Sequence, residues 1–267
     1  MKKLIPSKSI VDRFRRSDAP CGSIGRARRE LRRWYTGNLG SAFGDVEIMH
    51  LEEVLPTLFG YHLLQIGAYH EPIYLEKSLI KHKIIVDRNL GQHDVKVGLR
   101  SKTEELAIAT DSVDVVILYH ELELHSDPHS VLREIDRVLV PEGRVIILGF
   151  NPWSMWGGRK LVSQWQKSLP WCCYFFSPFR VKDWLRLLGY DLEVAHTFFY
   201  RPPLDYPWSV DRLSMIEKLG KKIWPAFGAG YMLVAKKRVS TMTAVGPRWQ
   251  RQRRVVKAGL LETREKL

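Results

Sequence analysis

Short unbroken apolar runs alternate along this chain with longer segments in which apolar residues recur every three or four positions. HLLQIG (62–67), KIIVD (83–87), VDVVILY (113–119) and RVIILGF (144–150) read as strands, and VDVVILY is the strongest of them. Leu192 to Tyr200 and GYMLVAKK (230–237) continue the series. Helical spacing falls between them over Arg26–Tyr35, over Val46–Phe59 with a break at Pro56, over Arg159–Leu169, and over Val181–Leu188 with Gly189 behind it. The clearest helix, Pro128–Leu139, opens at Asp127-Pro128 and carries Val131, Leu132, Ile135, Val138 and Leu139 on one face; Pro141-Glu142-Gly143 ends it. Strands that are apolar on both faces and separated by helices predict a parallel sheet covered on both sides, hence a doubly wound α/β fold. Ligands of such sheets sit beyond the carboxyl ends of the strands. The positions to watch are therefore 67–70, 87–89, 119–123 and 149–153.

Composition narrows the picture. An apolar fraction of 45% with 27% charged residues, in 267 residues, suits one large globular α/β domain. The net charge of +13 is concentrated at the ends: residues 1–33 and 236–267 each carry +8, leaving −3 for the middle. Such tails attract polyanions, RNA or anionic lipid among them, or serve only solubility. No apolar run is long enough for a transmembrane segment, and no apolar stretch follows the basic start as in a secretory signal. Three cysteines, two of them adjacent, fit neither a disulfide framework nor a metal site, so a reducing cytoplasm is the expected compartment. The expected organisation is a basic helical extension over 1–44, a domain over 45–237 with an aromatic-rich insertion or lid at 152–179, and a basic unstructured tail over 238–267.

One segment carries a resemblance. Ser112-Val113-Asp114, Asp127-Pro128, Val131-Leu132-Arg133-Glu134 and Arg137-Val138-Leu139-Val140-Pro141-Glu142-Gly143-Arg144 together resemble the later half of the cofactor domain of class I, type 11 S-adenosylmethionine-dependent methyltransferases, the group that contains the quinone-biosynthesis C-methyltransferases. FGYHLLQIGAYH, GFNPWSMWG and YRPPL look like a bacterial subgroup of these proteins. The resemblance implies a Rossmann-like sheet of seven strands in the order 3-2-1-4-5-7-6 with the last strand antiparallel, S-adenosylmethionine as cofactor, and a small-molecule acceptor.

It also implies site residues. Family members place an acid and then Gly-x-Gly-x-Gly after strand one; this chain has Gln65-Ile66-Gly67-Ala68-Tyr69-His70, so the glycine loop is degenerate. Gly67 and Ala68 would lie along the cofactor's methionyl part, although Gly67 is equally the glycine of a tight turn. Asp87, twenty residues on, would accept the ribose hydroxyls, or else stand as a solvated turn aspartate beside Arg88. Glu104 would meet the adenine amino group, against the alternative of a surface charge pair. Tyr119 would border the methyl group, and His120 would be the general base or a hydrogen-bonded structural group. Trp153, Trp156, Trp165, Trp171, Phe175 and Phe176 would line an apolar acceptor pocket, touch a membrane surface, or simply pack. Three functions follow: a small-molecule methyltransferase, a catalytically weakened binding or scaffold module of the same fold, and an RNA-directed methyltransferase using the basic ends. The Gly-x-Gly-x-x-Gly of nicotinamide enzymes is missing.

Overall fold

The computed structural model describes residues 23–67, 72–87, 98–162, 170–203, 220, 222 and 224–238. Two helices precede the sheet: α1 (Ile24–Tyr35) and α2 (Asn38–Val54). Ser23 caps α1 by accepting from the Arg26 amide at 3.3 Å, and Ala27, Leu31 and Tyr35, one turn apart, turn inward. On α2, Phe43, Glu47 and Leu51 do the same. The helix begins eight residues before the expected Val46. Its glycines are packing residues rather than breakers: a Cβ on Gly40 would lie 2.1 Å from the Trp34 carbonyl, so α2 can approach α1 only with glycine there. A 3-10 turn over Leu55–Thr57 takes up the proline, where a helix reaching Phe59 was expected.

The strands are β1 (His62–Ile66), β2 (His82–Val86), β3 (Val113–Tyr119), β4 (Leu139–Phe150), β5 (Tyr190–Phe198) and β6 (Gly230–Lys237). Helices α3 (Pro128–Val138), α4 (Met155–Val162) and α5 (Pro178–Leu187) connect them. Among the described residues the sheet has six strands in the order β2-β1-β3-β4-β6-β5, not the seven expected. The missing member is the edge strand beyond β2, where only an isolated bridge joins Val86 to Leu99. The pairs β1–β2, β1–β3 and β3–β4 are parallel, and β6 runs antiparallel between β4 and β5, as expected of the last strand.

Both faces of the sheet are buried, which is why its strands read as apolar runs. Leu63, Ile117, Ile146 and Phe150 join α1 and α2 in one core, with Phe43 and Leu51 between them. Leu64, Val116 and Ile147 face the other way, onto Leu132 and Ile135 of α3 and Val181 of α5. Helix α1 is thus part of the domain core, and its Leu31 is fully buried. No described helix is long and apolar enough to cross a membrane. The basic stretches 1–22 and 239–267 lie outside the described residues.

Candidate cofactor site

The sheet brings three expected residues to one crevice. Gly67 follows β1, Asp87 follows β2, and the turn Tyr119–Glu123 follows β3, with β1 central between β2 and β3. Gly67 has a φ of +81°, and a Cβ there would stand 2.6 Å from the Tyr119 carbonyl oxygen and 3.5 Å from a carboxylate oxygen of Glu121. Both the backbone angle and the space call for glycine. Ala68 and Tyr69 lie outside the described residues. Gln65, in the place of the family acid, is fully buried and occupied: its amide donates to the Gly67 carbonyl at 3.0 Å and its carbonyl accepts from the Tyr74 hydroxyl at 2.8 Å.

Asp87 is not a solvated turn residue. It is buried, and α1 supplies two of its partners: Arg28 donates to Oδ1 at 2.9 Å and Arg32 to Oδ2 at 3.1 Å. The same Arg28 guanidinium reaches Thr103 at 3.2 Å and forms a buried ion pair with Glu121. It therefore spans the crevice from the end of β2 to the end of β3. Glu121 Oε1 also accepts from Thr103 at 2.6 Å and from His125 Nε2 at 2.7 Å. Burial works against the charge on Glu121, but Arg28, His125 and Thr103 outweigh it and hold the carboxyl at about 2. Glu104 accepts from His125 Nδ1 at 2.7 Å, and that bond keeps its pKa low. Burial disfavours a charged His125, yet the carboxylates of Glu104 and Glu121 at its two nitrogens raise it to about 9. An adenine contact by Glu104 thus competes with this bond.

A second polar group lies behind the first. Glu47 of α2 accepts from the hydroxyls of Tyr35 and Tyr119, each at 2.8 Å, and from His120 Nε2 at 2.5 Å. His120 Nδ1 faces Glu123 at 3.4 Å, and Glu123 accepts from the Phe150 amide at 2.6 Å. His120, expected as a general base or as a hydrogen-bonded structural group, has a carboxylate at each ring nitrogen. The ring is fully buried, both nitrogens face carboxylates, and although desolvation opposes its charge, Glu47 and Glu123 push its pKa up to about 10. The Tyr119 side chain likewise points into the core, and its carbonyl is what borders the Gly67 turn.

From His120 a wall of rings leads across the sheet: His120 packs on Phe150 at 4.1 Å, and Phe43 lies 5.1 Å from Trp156. Beyond it, at the same end of the sheet, opens a cavity of about 530 Å³ with Met155, Trp156, Phe199, Trp224 and Phe227 in its lining. Of the aromatic residues expected there, Trp156 is one wall, Trp171 is buried in the core, Trp153 is exposed, and Trp165 lies outside the described residues. No cluster able to hold a metal ion occurs among the described residues.

Sequence reasoning missed Arg28, Arg32, Glu47, Thr103 and His125. A faint signal existed for the arginines. They stand four apart on α1, each one residue after the inward-facing Ala27 and Leu31, at the margin of the apolar face rather than opposite it.

Comparison with known proteins agrees with this architecture. A family described as a methyltransferase domain matches residues 80–147, which hold Asp87, Glu104 and Glu121. The uncharacterized protein YafS of Escherichia coli (strain K12) is 32% identical over 232 residues, covering 85% of this chain and 81% of YafS. A Thermotoga maritima S-adenosylmethionine-dependent methyltransferase, described as a possible histamine N-methyltransferase, superposes with a TM-score of 0.53 at 17% identity over 80% of this chain and 97% of its own. The [4+2]-cyclase SpnF gives 0.50 at 14% identity, over 73% and 81%. These structural likenesses are likenesses of fold, and SpnF illustrates that one fold carries more than one reaction.

Proposed function

The chain belongs to the family of YafS of Escherichia coli and matches a methyltransferase domain over residues 80–147, and from these premises we propose that it transfers a methyl group from S-adenosylmethionine to an apolar small molecule. The observation that carries this reading is the meeting of three strand ends, Gly67, Asp87 and Glu121, around one crevice at the centre of the sheet. The residues suit the cofactor. A glycine with positive φ lets its backbone lie close, an acid after β2 suits the ribose hydroxyls, and one buried oxygen of Glu121 has no donor among the described residues. Arg28 and Arg32 hold Asp87 in the arrangement seen, so cofactor entry requires Arg28, the more deeply buried of the two, to turn away from it.

When bound, S-adenosylmethionine supplies a methyl group on a positively charged sulfur, already a good leaving group. The chain's part is to hold the two reactants in line and keep water out. Asp87 would fix the ribose, the Gly67 backbone would run beside the methionyl part, and the rings of Phe150 and Trp156 would close the crevice on the acceptor side. The cavity beside Trp156, of a size usual for small-molecule sites and walled by Phe199, Trp224 and Phe227, suits an apolar acceptor. A proton released by the acceptor would go elsewhere than to His120.

A thermal-shift titration with S-adenosylhomocysteine tests the reading. The wild type should be stabilised and Asp87→Ala should not. Equal shifts would remove Asp87 from the site. No shift in the wild type or in a variant lacking Arg28 would leave the fold as a binding module without the cofactor.

A further inference from the structure

The cofactor's amino-acid end carries an ammonium group, and position 65, where the resemblance implies an acid, holds Gln65. Gln65 offers no charge, and both ends of its amide are already engaged within the chain. A carboxylate is nevertheless present from the next strand. Glu121 is fully buried, and its three described donors, Arg28, Thr103 and His125, all converge on Oε1. Oε2 is buried and accepts from no described residue. It is also the oxygen that lies 3.5 Å from where a Cβ on Gly67 would be, so it faces the β1 turn along which the methionyl part would run. A buried anionic oxygen left without a donor is costly and uncommon in a native fold. Its geometry is that of an acceptor held ready: one oxygen is fixed by three donors while the other faces Gly67. The chain Glu104–His125–Glu121 sets the tilt of the carboxylate, since His125 donates to both acids.

We propose that Glu121 replaces the acid missing at position 65 and binds the α-ammonium group of S-adenosylmethionine through Oε2. The assignment rests on the cofactor reading above. With the ammonium at Oε2, Thr103 and His125 would still hold Oε1.

Isothermal calorimetry on the full chain separates this role from a structural one by using two ligands: S-adenosylhomocysteine, which carries the ammonium, and 5′-methylthioadenosine, which shares the adenosine and lacks the amino-acid end. Glu121→Gln should weaken S-adenosylhomocysteine at least about tenfold, the scale of a lost charged hydrogen bond, and leave methylthioadenosine within about twofold. Returning the charge to the neighbouring strand, in Gln65→Glu with Glu121→Gln, should restore most of the lost affinity. If Glu121→Gln does not fold, Glu121→Asp, which keeps the charge and retracts it by one methylene, should show the same selective loss. Equal losses for both ligands, or none for either, would overturn the assignment. A wild type that binds methylthioadenosine no better than buffer would instead overturn the cofactor reading, and the role of Glu121 with it.

Discussion

Arg28→Met sets two consequences of the same ion pairs against each other. Stranding one member of a buried pair costs about 3–5 kcal/mol. Asp87 would keep Arg32 at 3.1 Å, and Glu121 would keep Thr103 at 2.6 Å and His125 at 2.7 Å, so the cost belongs at the low end, about 3 kcal/mol. At about 2–4 °C per kcal/mol for a domain of this size, the ligand-free melting temperature should fall by about 6–12 °C. Ligand binding should move the other way. In the wild type the guanidinium must leave Asp87 before a ribose can reach it, and a competition of about 3 kcal/mol depresses affinity by up to about 100-fold. The variant should therefore melt earlier without ligand and bind S-adenosylhomocysteine more tightly, with a larger thermal shift. Scanning fluorimetry gives the first quantity and calorimetry the second. A variant that melts earlier and binds equally or more weakly would show that Arg28 is not in the ligand's way, and the competition argument would fall.

Other outcomes follow from single contacts. Gly67→Ala places a Cβ 2.6 Å from the Tyr119 carbonyl at a φ of +81°; chemical denaturation should register at least about 1–3 kcal/mol of lost stability, and an unchanged midpoint would refute the close approach. The histidines set an alkaline limb: His125 and His120 are raised to about 9 and about 10, so their contribution is complete below the ordinary value of 6.5 and is lost as pH rises through 9 and 10. Glu121, lowered to about 2, contributes fully above its ordinary 4.5 and loses that contribution as pH falls toward 2. Denaturation midpoints measured across pH should fall above pH 7, with a shallower fall in His125→Gln; a wild-type profile flat to pH 10 would contradict the carboxylate pairing of both rings.

The strands were legible because burial on two faces leaves unbroken apolar runs, and β6 was read at its observed bounds. Position after a strand then singled out Gly67 and Asp87 without any view of the crevice. What the sequence hid depended on partners far along the chain. Glu47 and His120 are 73 residues apart, and Arg28 and Glu121 are 93 apart, so neither the burial of the histidine nor that of the arginine shows in local spacing. Helix α2 was started late for a related reason: the close approach that requires Gly40 is made to α1, which local spacing does not show. The seventh strand was expected on resemblance alone, and Leu99 supplies only a bridge there.

The charges around the crevice explain why an arginine, of all residues, should stand there. Asp87, Glu121 and Glu104 are matched by Arg28, Arg32 and a protonated His125, three anions against three cations. S-adenosylmethionine carries a sulfonium, an ammonium and a carboxylate, for a net charge of +1. Exchanging it for Arg28 keeps the crevice neutral, whereas leaving Asp87 and Glu121 without a cation would strand buried charge. The product, S-adenosylhomocysteine, has lost the sulfonium charge and is net neutral, so it replaces the guanidinium less well. In Arg28→Met the crevice would hold one uncompensated negative charge, and the preference for the cationic cofactor over its product should widen. Paired calorimetric titrations of the wild type and the variant measure that ratio directly, and a ratio that narrowed on removing Arg28 would show that the arginine does not serve as the cofactor's electrostatic substitute.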